Sequence, residues 1–318
     1  MRKFLVLILF VFCVVIILPG AVIIISNPQK STQNQAKNEK TDIEITVKNG
    51  SDIEKFNIED YLFGVLAAEM PASFHPEALK AQAVAARTYI MNKMQNKDAD
   101  HPDADVCTDP THCKAYLSET EIKSKFGDDW IAKYSDKIRD CIAQTAGEIA
   151  VYNGEPIEAV FHSTGSGKTE NARDVWGGDV PYLVSVDSPG DLNSPNFYSE
   201  ITVSKAAFKS KIAEATGNDC EAYIGDIAYN DTGSVRSIDL GGNVFSGTEV
   251  RKIFNLPSTN FTVEDAGDSF VFHTKGKGHG VGMSQYGAEY FAESGMTYKD
   301  ILKKYYKGIE IQKYDKNN

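Results

Sequence analysis

Apolar positions follow three rhythms along the chain, and each predicts a different kind of element. The first is an unbroken run, FLVLILFVFCVVIILPGAVIII, behind Met1, Arg2 and Lys3. A helix needs about 20 apolar residues to cross a bilayer, and cations ahead of it hold the N-terminus in the cytoplasm. The apolar core of a cleaved signal is shorter and no convincing A-x-A site follows, so residues 1–26 read as an uncleaved single-pass anchor, with a cleaved signal as the alternative. Residues 27–42 are polar and free of aromatics, which predicts a flexible tether. The second rhythm is helical and clearest from Asn57 to Met91. Asn57 is a good N-cap, Glu59 and Asp60 suit a first turn, and Leu62, Val65, Leu66 and Glu69 share one stripe. Pro71 stops that helix near Met70, and Pro76 at the favoured N1 position opens another. In the second helix Leu79, Ala83, Ala86 and Ile90 form a core face, while Lys80, Gln82, Arg87 and Tyr89 are polar groups able to meet a ligand.

The third rhythm is alternation. IEITVKNG begins the globular part near Ile43, and EIAVY and PIEAVFH flank the turn dipeptide Asn153-Gly154. Ser204 and Gly217 bracket a helix, SGTEVRKIFN opens on a capping serine, and TYKDILKKYY packs Ile301, Leu302 and Tyr305. Helices and strands mixed in this way predict an exported α+β domain over 43–318, with 188–270 as scaffold or a subdomain.

Charge narrows the choice of partner. The formal net charge of −11, with no compensating basic patch, excludes nucleic-acid binding. Four cysteines lie beyond the apolar run, in a compartment that permits disulfides. The segment HPDADVCTDPTHC gathers His101, Cys107, His112 and Cys113, a set suited to a structural zinc ion. A Cys107–Cys113 disulfide is the competing reading, and Cys141 could pair with Cys220.

Glu69 is the most unusual carboxylate. A position at a helix C-terminus and on a buried face opposes ionisation twice over, and a carboxyl that keeps its proton near neutral pH can serve as a general acid. The plainer alternative is a half-exposed Glu at a frayed end, bonded to Arg87. Two glycine-rich stretches supply other polar groups. TGSGKT lacks the first glycine of a P-loop, because His162 stands there, so a nucleotide site is rejected. Ser163, Lys168 and loop N–H groups remain candidates for ligand contacts, with Trp176 or Tyr182 as a flat face. GKGHGVGMSQYGA presents His279 on a loop, and Ser284 then caps a helix reaching Ser294, with Gln285 and Tyr286 at its start.

EMP followed by EALKAQAVAARTY, FHS with Gly167, Thr169 and Glu170, VWG with PYL, and GKGHGVGMSQYGA together resemble the stage II sporulation protein D family. The likeness runs with gaps from about Ile45 to Gly308. It implies a lytic transglycosylase that cleaves the MurNAc–GlcNAc bond of peptidoglycan, with Glu69 as catalytic acid and base. It further implies substrate-side roles for Lys80, Gln82, Arg87, Ser163, Lys168, His279, Gln285 and Tyr286. Relatives in the sporulation branch act on peptide-stripped glycan during engulfment, at the mother-cell membrane facing the intermembrane space. Their implied partners are an amidase/endopeptidase, stage II sporulation protein P, and a membrane protein, stage II sporulation protein M. Zinc at His101, Cys107, His112 and Cys113 would mark a subgroup, since many relatives lack cysteines there. Two rivals stay open: a hydrolase using Glu158, Glu170 or Asp174 as second carboxylate, and a noncatalytic glycan-binding amidase enhancer.

Overall fold

A short hairpin and two helices set the geometry of everything that follows. A computed structural model describes residues 41–314. The anchor and most of the tether expected at the N-terminus therefore lie outside the described residues. Among the described residues no helix is long and apolar enough to cross a membrane. Strands β1 (Glu44–Asn49) and β2 (Asp52–Asn57) pair antiparallel, turning at Gly50 with φ of 59°. Helix α1 (Ile58–Glu69) starts at Asn57, whose side chain accepts the Glu59 N–H. Met70 leaves it in an extended conformation, as a residue before proline must. Helix α2 (Pro76–Gln95) begins at Pro76 behind His75, which caps it. Its alanines are buried nearly all the way round, so it forms the central post of the domain.

Strand β3 (Val106–Cys107) adds to β1 in parallel. Helix α3 (Glu119–Gln144), broken at Gly127, packs on α1 and α2. Lys137 on α3 donates to the carbonyls of Ala72, Ser73 and Phe74, fastening the corner between the two first helices. Strands β4 (Glu148–Tyr152) and β5 (Glu155–Pro156) form the expected hairpin, with Asn153 and Gly154 both at positive φ. The second arm is much shorter than its sequence suggests. Its distal residues become β6 (Phe161–His162), followed by the short α4 (Ala172–Trp176).

From residue 198 a second apolar cluster takes over. Strand β7 (Tyr198–Ser204), helix α5 (Lys205–Thr216), strands β8 (Ile224–Tyr229), β9 (Val235–Leu240) and β10 (Asn243–Ser246), helix α6 (Gly247–Phe254), and strands β11 (Phe261–Asp265) and β12 (Ser269–Lys275) surround it. Phe208, Phe254, Phe270 and Phe272 stack at its centre. The chain then returns to the first core. Strand β13 (Met283–Ser284) pairs in parallel with β6, helices α7 (Gln285–Glu293) and α8 (Tyr298–Tyr305) pack on α2, and β14 (Glu310–Lys313) closes on β4. The described fold is thus α+β.

All four described cysteines are free thiols. Cys141 is buried in α3 against the Pro76 carbonyl, and Cys220 packs at Gly241 beside the second cluster. The Cys141–Cys220 pairing that the sequence left open is not formed, because the two belong to different cores.

Candidate functional site

Glu69 is the last residue of α1, and the segment after the Cys/His loop meets it. The Ala115 N–H donates to Oε1 at 2.8 Å. Burial raises the Glu69 pKa, while the Ala115 N–H, the Lys114 ammonium and a hydrogen bond from Gln285 work against that rise. Desolvation is the largest influence, so the carboxyl holds its proton to higher pH than a free glutamate. Gln285, the first residue of α7, also reaches Gln82 of α2, Nε2 to Oε1 at 3.4 Å. The Gln82 Nε2 has no protein partner. The GMSQYG motif thus reaches the carboxyl that opens EMP through Gln285, which also touches Gln82 of EALKAQ.

Other residues expected on the substrate side are placed differently. Arg87 is fully buried and forked onto Glu59, Nε to Oε1 at 2.9 Å and Nη2 to Oε2 at 2.5 Å. It also donates to the Glu148 carbonyl, so its guanidinium ties α1, α2 and β4 together and meets neither Glu69 nor solvent. Lys80 pairs with Glu77 at 2.7 Å and lies over the Tyr298 ring. The Tyr286 ring packs edge-on against Phe74, and its N–H donates to the Ser163 carbonyl. Ser163 Oγ lies 3.4 Å from Thr164 Oγ1. Lys168 is an exposed residue 3.8 Å from Asp187, an ordinary surface pair.

His279 is pinned through both ring nitrogens rather than presented freely. Nε2 lies 3.0 Å from the Phe161 carbonyl and Nδ1 3.1 Å from the Val281 N–H. Burial depresses its pKa well below the usual range, and His162, Lys114 and Arg251 add to the effect. The ring therefore stays neutral and supports Trp176, which lies 5.2 Å away and is 49% exposed. Tyr182 instead takes the Glu158 N–H on its hydroxyl, which makes it a packing residue. The first glycine-rich loop is also committed. Asp191, fully buried, draws the N–H groups of Gly165 and Gly167 and the Ser284 hydroxyl onto its carboxylate. Those amides are turned inward and do not face a sugar.

Of the proposed second carboxylates, Glu170 is buried and accepts the hydroxyls of Thr232 and Ser234, each at 2.6 Å. Asp174 accepts from Asn171 at 2.7 Å. Both are occupied with structure.

The Cys/His loop brings His101, Cys107, His112 and Cys113 together, all four donor atoms within 4.8 Å of one another. His101 Nε2 is 3.2 Å from Cys113 Sγ, and His112 Nδ1 is 3.4 Å from Cys107 Sγ and 3.5 Å from Cys113 Sγ. Bonds of about 2.0–2.3 Å to a tetrahedral zinc require ligand separations of about 3.3–3.8 Å, so this donor set fits the ion. The outer nitrogens fit as well. His101 Nδ1 faces the Ala104 carbonyl, and His112 Nε2 faces Asp100 at 3.3 Å and Asp98 at 3.6 Å, the partners that orient metal-binding imidazoles.

Sequence reasoning missed Lys114, Ala115 and Glu59. Lys114 and Ala115 follow the last candidate ligand directly, a position that could have flagged them. Glu59 was read only as a first-turn acid.

Comparison with known proteins adds an independent line. A family model described as Stage II sporulation protein matches residues 47–152, which spans α1, α2, the Cys/His loop and α3. The chain is 40% identical over 265 residues to Stage II sporulation protein D of Bacillus subtilis (strain 168), covering 83% of this chain and 76% of that protein. It is 40% identical over 266 residues to the protein of the same name in Bacillus amyloliquefaciens, with the same coverage. It is also 29% identical over 309 residues to the Amidase enhancer of B. subtilis (strain 168), covering 80% of this chain and 40% of the enhancer.

Proposed function

The chain belongs to the stage II sporulation protein D family, and from that premise we propose that it is a lytic transglycosylase acting on peptide-stripped peptidoglycan strands. One observation carries the reading. The Glu69 carboxyl is held by the Ala115 N–H and Gln285 in surroundings that favour its protonated form. A protonated Glu69 gives its proton to the glycosidic oxygen as the bond from MurNAc C1 breaks. The resulting carboxylate then takes the proton of the MurNAc C6 hydroxyl as that oxygen bonds to C1. The proton balance closes on one carboxyl, whereas most glycosidases need two. Glu170 and Asp174 are held by hydroxyl and amide donors, which leaves Glu158, close enough to act on Lys114, as the carboxylate a two-acid hydrolase would use.

In this proposal His101, Cys107, His112 and Cys113 hold a zinc ion whose role is to fix the loop that ends at Ala115. A closed four-ligand set leaves no position for an activated water. Residues 1–26 would anchor the domain in the mother-cell membrane with residues 43–318 outside it. An amidase/endopeptidase such as stage II sporulation protein P would supply the stripped strands, with stage II sporulation protein M in the same assembly.

Mass spectrometry of fragments released from peptide-free strands by the full-length protein tests the reaction. Products ending in 1,6-anhydro-MurNAc are expected, and reducing ends would replace the proposal with a hydrolase. Elemental analysis of the purified protein should find one zinc per chain, lost in the Cys107→Ser/Cys113→Ser double variant together with a lower melting temperature. A metal-free protein with unchanged melting would remove zinc from the account. The likeness to an amidase enhancer favours a second reading, glycan binding without cleavage. It predicts that stimulation of a partner amidase survives Glu69→Gln.

A further inference from the structure

Among the described residues, Lys114 is a charged group beside Glu69 that the proposed reaction leaves without a task. Its ammonium lies 4.4 Å from the centre of the Tyr89 ring and 4.2 Å from that of Phe161. The two ring faces hold the cation in place but accept none of its three N–H donors well. Among the described residues it makes no hydrogen bond and no ion pair within 4.0 Å, although Glu69 and Glu158 are near enough to act on it electrostatically. Lys114 is partly buried, with burial the largest influence on its ammonium, and the next residue supplies the N–H that holds Glu69. A cation withdrawn from water without a hydrogen-bonded anion is costly to keep, which points to an anion that arrives with the ligand.

The substrate chemistry identifies that anion. In a MurNAc–GlcNAc strand the sugars are neutral apart from the lactyl group on C3 of MurNAc. While a stem peptide is attached, the lactyl carbonyl is an amide. Once the peptide is removed, it is a free carboxylate. MurNAc also carries the bond that Glu69 is proposed to cleave, so the lactyl group belongs to the sugar lying against this part of the protein. Glu69 in its protonated, proton-donating form carries no charge, and so leaves the Lys114 ammonium available.

We propose that Lys114 binds the free lactyl carboxylate of the MurNAc residue at the cleavage point, and so selects strands whose stem peptide has been removed. The inference rests on the proposed glycan substrate and deepens it. Lys114 acts here as a specificity residue that touches the substrate and takes no part in proton transfer.

Calorimetric binding to the full-length Glu69→Gln protein tests this without depending on turnover. The probes are peptide-free strands with lactyl carboxylates either free or methyl-esterified. Free strands are expected to bind about tenfold more tightly, a preference of charge-assisted contacts that fades with added salt. Adding Lys114→Met should erase the preference while affinity for the esterified strands changes less than twofold. Lys114→Arg should keep it, which separates a loss of charge from a misfolded loop. A preference that survives Lys114→Met overturns the inference, as does an equal loss of affinity for both probes. The two proposals can fail separately. Cleavage by the Glu69 protein with no Lys114-dependent preference sinks only this one, and a Lys114-dependent preference without cleavage sinks only the transglycosylase.

Discussion

Glu69→Gln is expected to reduce glycan cleavage by about 10²–10⁴-fold while strand affinity stays nearly unchanged, the usual worth of a positioned acid/base. The amide oxygen can still accept the Ala115 N–H at the place where Oε1 sits, so the shape of the site survives. What disappears is the transferable proton. The pH profile supplies a second check. Burial raises the Glu69 pKa, so in the free enzyme the active, protonated form extends above the pH at which an ordinary glutamate is lost. The kcat/KM should fall as pH rises through that elevated pKa, and this limb should be missing from the residual activity of the variant.

Stability should move in the opposite direction. A carboxyl whose folded pKa is raised contributes stability below its unfolded pKa, and that contribution is lost as pH climbs through the folded value. At neutral pH the wild type bears the cost of charging Glu69 in place, and Gln does not. The variant should therefore melt higher than wild type at pH 7–8, with the gap shrinking below about pH 4.5, where a free glutamate is protonated. Equal activity of the two proteins would remove Glu69 from catalysis. Equal melting across the whole pH range would instead show that the carboxyl is well solvated.

Local signals read well where one chain segment decides the outcome. The Asn57 cap, the Pro71 stop, the Pro76 start and the Asn153-Gly154 turn all depend on neighbours within a few residues, and all appear as expected. Helix α3 was missed although Ser118 and Glu121 form a capping box that the sequence displays. Its apolar residues are sparse, and Gly127 interrupts the pattern. The harder errors concern side chains whose partners lie far away in sequence. The role of His279 depends on the Phe161 carbonyl 118 residues earlier, and the loop amides of Gly165 and Gly167 turn toward Asp191. A glycine-rich loop advertises backbone freedom, but only the fold determines whether its N–H groups face inward. The same applies at Glu69. Its place at a helix end could be read locally, whereas its contacts with Ala115 and Gln285 required the whole chain to close.

Arg87 shows the consequence most sharply, and Arg87→Met is expected to cost about 3–5 kcal/mol, the loss typical when one partner of a buried ion pair is removed. Glu59 would keep the Gly147 N–H at 3.0 Å and the Thr41 hydroxyl at 3.2 Å, but lose both guanidinium donors. The Glu148 carbonyl would lose its donor as well. For a domain of this size the melting temperature should drop by roughly 10 °C. Combining Arg87→Met with Glu59→Leu should recover much of that loss, since a buried pair replaced by apolar groups of similar volume is often near neutral. Well below the melting range, strand affinity of the single variant should match wild type. A single variant that melts normally but binds strands poorly would return Arg87 to the substrate face. Normal binding with lowered melting places it where the packing does, as the tie between the start of α1, α2 and β4.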